Sequence, residues 1–229
     1  MSAIVFDLDG TLIDSAPDIR AAINRTLVDE GRAPLDLPEV ISFIGHGLPN
    51  LVARAMQARG LDAADHDRLT AATLAHYNAA SNDLTQLYPG VLPVLHHLRA
   101  QGHILGLCTN KPEGPARKVL AQFGMADLFD AVVGGDSLPA RKPDPAPLCH
   151  VLAALGEKSG LYVGDSEVDA ETAQAAGIPF AFFTQGYCHI PHDAVPQRWR
   201  FDHFDALPGI VAAGLAEGFG DSLATAPDR

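Results

Sequence analysis

The stretch Ile4-Val5-Phe6-Asp7-Leu8-Asp9-Gly10-Thr11-Leu12-Ile13 runs from a short apolar segment straight into two carboxylates two positions apart. Successive side chains of an extended strand face opposite ways, so Asp7 and Asp9 share a side only while the chain stays extended. Gly10 then permits a sharp turn. Two like charges held this close raise each other's pKa unless a cation or a proton lies between them. The pair therefore predicts a bound metal, a carboxylate kept protonated as an acid, or both. The plainer alternative is an Asp-Gly hairpin turn after a buried strand.

The chain around this motif has 229 residues, 47% of them apolar, enough for one large domain or for a core with a smaller companion. Its net charge of −12 argues against a nucleic-acid surface or an anionic membrane as partner. An anionic substrate would need cations gathered locally. Only four lysines are present, and two of them, Lys111 and Lys142, sit in loops that matter below. Cys108, Cys149 and Cys188 have no paired ligand spacing and read as buried thiols in a reducing compartment. No charged leader with an apolar stretch precedes the first strand, and no run is long enough to span a bilayer, so the expected location is cytoplasmic. Residues 217–229 are small and polar and predict a fraying end.

After the opening motif, Ser15 and Asp18 fit a capping box, with Pro17 in the first turn and Gly31 where the helix would stop. Ile19, Ala22, Ile23, Thr26 and Leu27 make one apolar face. Further helical patterns, among them Leu48, Leu51, Val52, Ala55 and Met56, continue to about residue 80 without a convincing strand. From residue 87 onward short apolar runs alternate with amphipathic segments. Candidate strands are 4–6, 103–108, 131–133, 161–163 and 180–183, joined by candidate helices 91–100, 115–123, 146–155 and 167–176. The pattern predicts an α/β fold, a Rossmann-like parallel sheet with helices on both faces and an all-helical insertion after the first strand. The expected division is a core of residues 1–14 and 83–229 and an inserted domain of residues 15–82.

In an open α/β sheet, ligands bind beyond the carboxyl ends of the strands. Asp7 follows the first candidate strand, Thr109-Asn110-Lys111 the second, Arg141-Lys142 lies after the third, and Gly164-Asp165 follows the fourth. A hairpin at Asp7 does not predict the other three clusters, so the turn reading recedes.

The set Asp7-Leu8-Asp9-Gly10-Thr11, Thr109-Asn110, Lys142 and Gly164-Asp165-Ser166-Glu167-Val168-Asp169 resembles the four signatures of the haloacid dehalogenase superfamily, and within it the magnesium-dependent phosphatases. The resemblance spans the chain and implies that the helical insertion is a mobile cap. It implies Asp7 as a nucleophile forming an aspartyl-phosphate, and Asp9 as the acid and then the base. Mg²⁺ favours oxygen ligands, which makes Asp7, Asp165 and the backbone carbonyl of Asp9 its expected holders. Asp169 either orients a metal-bound water or serves the start of a helix. Thr109, with backbone donors around Asn110, is expected to hold the phosphoryl oxygens, and Lys142 to neutralise them and Asp7. Lys111 either reaches the phosphate or is an ordinary exposed lysine. Asp14 reads as a cap or hinge residue.

For the substrate, Phe43-Ile44-Gly45-His46-Gly47-Leu48 brackets a histidine with two glycines that permit close approach to a small ligand. With residues 11–18, Tyr88-Pro89-Gly90-Val91 and Gly186-Tyr187, it resembles the phosphoglycolate phosphatase branch, implying hydrolysis of 2-phosphoglycolate with Gly45, His46 and Gly47 at the substrate. Alternatively the glycines only end one helix and begin the next. No lysine precedes Lys111 to form a Schiff base, which argues against the phosphonate hydrolases of this type, and Asp9 argues against dehalogenation. Another small phosphate ester, a sugar phosphomutase and a phosphoaspartate signalling receiver stay as alternatives. The expected partner is a small phosphorylated metabolite, with no nucleic acid and no membrane, acting on a monomer or homodimer. Cys188-His189-Ile190-Pro191-His192 has the composition of a metal site, but Pro191 breaks any helix that would align the histidines. His96 and His97 are adjacent on a candidate helix and read as surface residues.

Overall fold

Ala3, Ile4, Val5 and Phe6 are all buried, which a strand achieves only with both faces covered. In the computed structural model, which describes residues 2–80 and 83–217, they form β1 (Ala3–Phe6), a central strand of a six-stranded sheet. Numbered along the chain, the other strands of this sheet are β4 (Ile104–Cys108), β5 (Ala131–Val133), β6 (Gly160–Gly164), β7 (Phe180–Phe183) and β8 (Trp199–Phe201). Their order is β5-β4-β1-β6-β7-β8, and every pairing is parallel.

The two-residue period of the strands sorts their side chains into two cores. Ile4, Phe6, Leu105 and Leu107 pack with α5 (Val91–Ala100), α6 (Glu113–Gln122) and α9 (Leu207–Glu217) on one face. Val5, Tyr162, Phe180 and Phe182 pack with α7 (Ala146–Ala154) and α8 (Glu167–Ala176) on the other. A two-stranded antiparallel ladder, β2 (Ile13–Asp14) with β3 (Gln86–Leu87), leads into and out of the helical insertion. That insertion holds α1 (Ala16–Asp29), α2 (Leu37–Ile41), α3 (Leu48–Arg59) and α4 (His66–Ala79), with a core of its own around Ile23, Leu27, Val52, Met56 and Leu69. The expected second domain boundary, at 82/83, falls at Ser81 and Asn82, outside the described residues. Among the described residues no helix is long and apolar enough to cross a membrane.

Several details differ from the sequence reading. Helix α1 starts at Ala16 with Pro17 in its first turn, but the Ser15/Asp18 capping box does not form. Ser15 Oγ donates to Asp9 instead, and Asp18 accepts from Leu84 N and Thr85 Oγ1. The amides that open the helix go to Asp14 and to the Tyr187 hydroxyl, which bears out Asp14 as a cap residue. Strands β2, β3 and β8 and helix α9 were not predicted. The strands span only two or three residues, and α9 (Leu-Pro-Gly-Ile-Val-Ala-Ala-Gly-Leu-Ala-Glu) is almost uniformly apolar or small and so shows no period. Cys149 is exposed and Cys188 half-buried, so only Cys108 is the buried thiol expected; burial pushes it up to about 12. His96 and His97 are exposed as expected. The expected fraying of the chain end lies outside the described residues from 218 onward.

Candidate active site

Strand β1 delivers Asp7 at its carboxyl end, where Asp7 N still donates to Val163 O at 2.9 Å. The chain then coils tightly, and the carbonyl of Leu8 accepts from the amides of Thr11, Leu12 and Ile13. Gly10 makes this possible with φ +89°, and a Cβ there would lie 2.3 Å from Asp165 Oδ2. Only glycine fits. Asp9 therefore sits in the turn, and the extended geometry that would align it with Asp7 stops at Asp7.

Behind Asp7 lies a buried group of three carboxylates, Asp7, Asp165 and Asp169, with ligand oxygens within 4.8 Å of one another. Asp165 accepts from Thr11 Oγ1 at 2.6 Å and from Tyr187 N at 2.7 Å. Both oxygens of Asp169 are engaged. Its Oδ2 accepts from Ser166 Oγ and from the amides of Asp165 and Ser166, completing the capping box of α8; its Oδ1 accepts from Lys142 Nζ at 2.7 Å and Tyr162 Oη at 2.7 Å. The helix-start role weighed for Asp169 is thus realised.

Lys142 Nζ lies 2.9 Å from Asp7 Oδ1, paired in charge but not angled as a hydrogen bond, so among the described residues Oδ1 has no hydrogen-bond donor. Burial pushes the Asp7 carboxyl up to about 7, with Lys142 pulling the other way and Asp169 adding to the rise. Asp165 is driven well above the carboxylate range by burial and then by Asp169 and Asp7. Burial works against the Lys142 ammonium, but Asp169 and Asp7 outweigh it and keep it charged. Three buried carboxylates thus face one ammonium. Protons or a cation must balance the remainder.

Asp9 is held from the opposite side. Its Oδ1 accepts from Ser15 Oγ at 2.5 Å and from Lys111 Nζ at 2.9 Å, while among the described residues no donor reaches Oδ2. Lys111 is buried, so its reading as an ordinary exposed lysine is overturned: Tyr77 of α4 lies under the ammonium, 4.4 Å from ring centroid to Nζ. Burial disfavours that charge, and Asp9 and Tyr77 more than restore it.

An open cleft runs between sheet and insertion, with Asp7, Asp9, Thr109, Asn110 and Lys111 on the sheet side. Thr109 Oγ1 accepts from Lys111 N, which leaves its own proton free to donate. The Asn110 side chain is committed elsewhere, bonding the carbonyls of Gly45 and Lys142 and the amide of Lys142. Gly45 and Gly47 line the cleft with positive φ, but the His46 side chain is exposed and is not part of the lining. The His189 ring binds Glu167 and the Ile41 carbonyl, and the His192 ring packs edge-on against Phe182.

Sequence reasoning missed Ser15 on Asp9, Thr11 on Asp165, Tyr162 on Lys142 and Tyr77 under Lys111. Thr11 and Tyr162 reach partners 154 and 20 residues away, and no local pattern announces such a contact. Ser15 did carry a signal, as the helix-start hydroxyl six residues from Asp9, but it was assigned to cap the helix as an acceptor, whereas it donates to Asp9.

The family model for haloacid dehalogenase-like hydrolases matches residues 4–183, from β1 through β7 and thus through every element that carries the site. The chain belongs to the haloacid dehalogenase-like hydrolases. Within this family it is 53% identical over 218 residues to a phosphoglycolate phosphatase of Cereibacter sphaeroides, covering 94% of this chain and all of that one. It is 45% identical to the phosphoglycolate phosphatase of Rhodospirillum rubrum, covering 98% and 96% of the two chains. The crystal structure of a predicted phosphoglycolate phosphatase from Haemophilus somnus superposes with a TM-score of 0.87 at 34% identity, over 92% of this chain and 97% of that one. As a hydrolase of this family, the chain places its acidic centre at the strand ends that the resemblance implied.

Proposed function

We propose that this hydrolase is a phosphomonoesterase that converts 2-phosphoglycolate to glycolate and phosphate through an aspartyl-phosphate on Asp7. The observation that carries the reading is the double position of Asp7, at once in the cleft and in the buried carboxylate group. A nucleophile is needed where substrate enters, and a strongly charged surround is needed where phosphoryl charge develops. The names of the similar chains supply the choice of alcohol.

The donor set fits Mg²⁺. Three carboxylates against one ammonium leave two negative charges, all donors are oxygens, and among the described residues Asp7 Oδ1 lacks a hydrogen-bond donor. Asp7, Asp165 and the Asp9 carbonyl would hold the ion. Asp169 already accepts five bonds, so its part is to hold Lys142 and the start of α8. When bound, the ion neutralises phosphoryl charge. The side chains do the rest: Asp7 attacks phosphorus, Thr109 donates to a phosphoryl oxygen, and Lys142 offsets the charge carried between them. Asp9 Oδ2, the oxygen with no donor, passes a proton to the leaving alkoxide and then takes one from the water that opens the aspartyl-phosphate. Anchoring Oδ1 with Ser15 and Lys111 keeps that oxygen aimed. The free thiols suit a cytoplasmic enzyme.

A panel of small phosphate esters assayed for kcat/KM tests the reading. The expected result is steady phosphate release with 2-phosphoglycolate the best substrate. A clear preference for another ester overturns the choice of alcohol, and a single stoichiometric phosphorylation without turnover overturns the phosphatase.

A further inference from the structure

The wall that the helical insertion gives to the cleft is apolar, formed by Ile19, Ala22, Ile44, Leu48, Leu51 and Leu74. Two polar side chains interrupt it, Thr73 and Tyr77. Thr73 is occupied, with its hydroxyl on Leu69 O at 2.8 Å and beside Thr26 Oγ1 at 2.9 Å. Tyr77 is not. The residue is only 7% exposed, and no described residue meets its hydroxyl in good hydrogen-bond geometry, although the Lys111 ammonium beside it draws the phenol down against burial. A buried hydroxyl in a cleft wall without a partner is a standing cost that a ligand can relieve.

Lys111 is the one cation among the residues lining the cleft, and its Nζ lies between Asp9 Oδ1 (2.9 Å) and the Tyr77 ring (4.4 Å to the centroid). Resting on the substrate reading above, we propose that Tyr77 Oη together with Lys111 Nζ forms a carboxylate subsite at the leaving-group end of the cleft. With phosphorus at Asp7 and the leaving oxygen at Asp9, a carboxylate two bonds farther along arrives beside Asp9, where the ammonium and the phenol stand. Burial pushes the Tyr77 phenol up, so at neutral pH it enters as a neutral donor. A donor beside a cation suits an anion. The apolar remainder of the wall offers nothing to the hydroxyls of a sugar phosphate, so the subsite selects a short carboxylated alcohol.

The test crosses one substitution with one change of substrate. Wild type and Tyr77→Phe are compared for kcat/KM on 2-phosphoglycolate and on ethyl phosphate, which lacks the carboxylate. Among the described residues the Tyr77 hydroxyl has no hydrogen-bond partner in good geometry, so circular dichroism and the melting temperature should stay close to wild type. The preference for 2-phosphoglycolate over ethyl phosphate is expected to fall about tenfold or more in Tyr77→Phe, the worth of a hydrogen bond to a charged group. As a second measurement on wild type alone, glycolate should inhibit more strongly than glycolamide, and equal inhibition overturns the subsite. If wild type prefers 2-phosphoglycolate and Tyr77→Phe keeps that preference whole, the subsite is wrong and the substrate reading stands. If wild type shows no preference for the carboxylated ester, the substrate reading falls and the subsite with it.

Discussion

Asp7 carries opposing demands, since burial holds its carboxyl up to about 7 while its task requires the charged form. Asp7→Asn removes the nucleophile together with a buried charge. Activity should drop below roughly one hundredth of wild type while the protein melts no lower; residual turnover above that level would reject the nucleophile assignment. The same proton competes with a metal. Added Mg²⁺ should raise the melting temperature more at pH 8, where Asp7 is ionised, than at pH 6, where the proton must first leave. A thermal-shift series showing the reverse order would count against Asp7 as a ligand. Asp9→Asn should slow esters of poor leaving groups more than activated aryl phosphates, because only the former need the proton; equal slowing of both would remove Asp9 from that role. Asp7, Asp9, Thr109, Lys142 and Asp165 were legible because each ends or follows a strand that its own apolar run announces. Lys111 was only half legible, since its burial depends on Tyr77 arriving from α4.

Helix α8 shows how an element serves the site. Ser166 caps it, and the reciprocal partner in that capping box is Asp169, whose other oxygen holds Lys142. Ser166→Ala should therefore cost about 1 kcal/mol of stability for the lost cap and lower kcat by loosening Asp169. Urea denaturation and steady-state kinetics check the two together, and unchanged kcat would separate the cap from the site. The acidic residues of Asp165-Ser166-Glu167-Val168-Asp169 made this helix start visible in the sequence. The start of α1 was misread by the same rule, because Ser15 Oγ donates to the Asp9 carboxylate and does not accept from an amide of its own helix. Local rules name a capping residue, and tertiary competition decides whether it caps.

At the scale of the molecule, His189 joins sheet domain and helical insertion. Its Nδ1 faces Glu167 at 2.8 Å and its Nε2 faces the Ile41 carbonyl at 3.1 Å, two acceptors that together call for imidazolium. The Glu167 bond raises the His189 pKa above its ordinary 6.5, against burial and Arg54. Burial favours neutral Glu167, but the bonds from His189 outweigh it and bring the carboxyl down to about 2. A raised histidine contributes stability that is whole below about 6.5 and is lost as pH rises through the folded value. A depressed carboxylate contributes above about 4.5 and loses its contribution as pH falls toward 2. The stability difference between wild type and His189→Gln should accordingly be largest between about pH 4.5 and 6.5 and shrink on either side; chemical denaturation across pH gives the answer, and a flat difference would dismiss the link. The sequence by itself determined the α/β class, five of the six main strands, the helical insertion and the polar clusters at the strand ends, since these rest on local periodicity and on the turn that follows each strand. Only the tertiary structure decided the order of the sheet, the burial of Lys111, the diversion of Ser15 to Asp9 and the placing of the Tyr77 hydroxyl beside Lys111. Each of these depends on which groups meet when the insertion closes over the sheet, and that is a matter of competition among donors and acceptors that no short stretch of sequence contains.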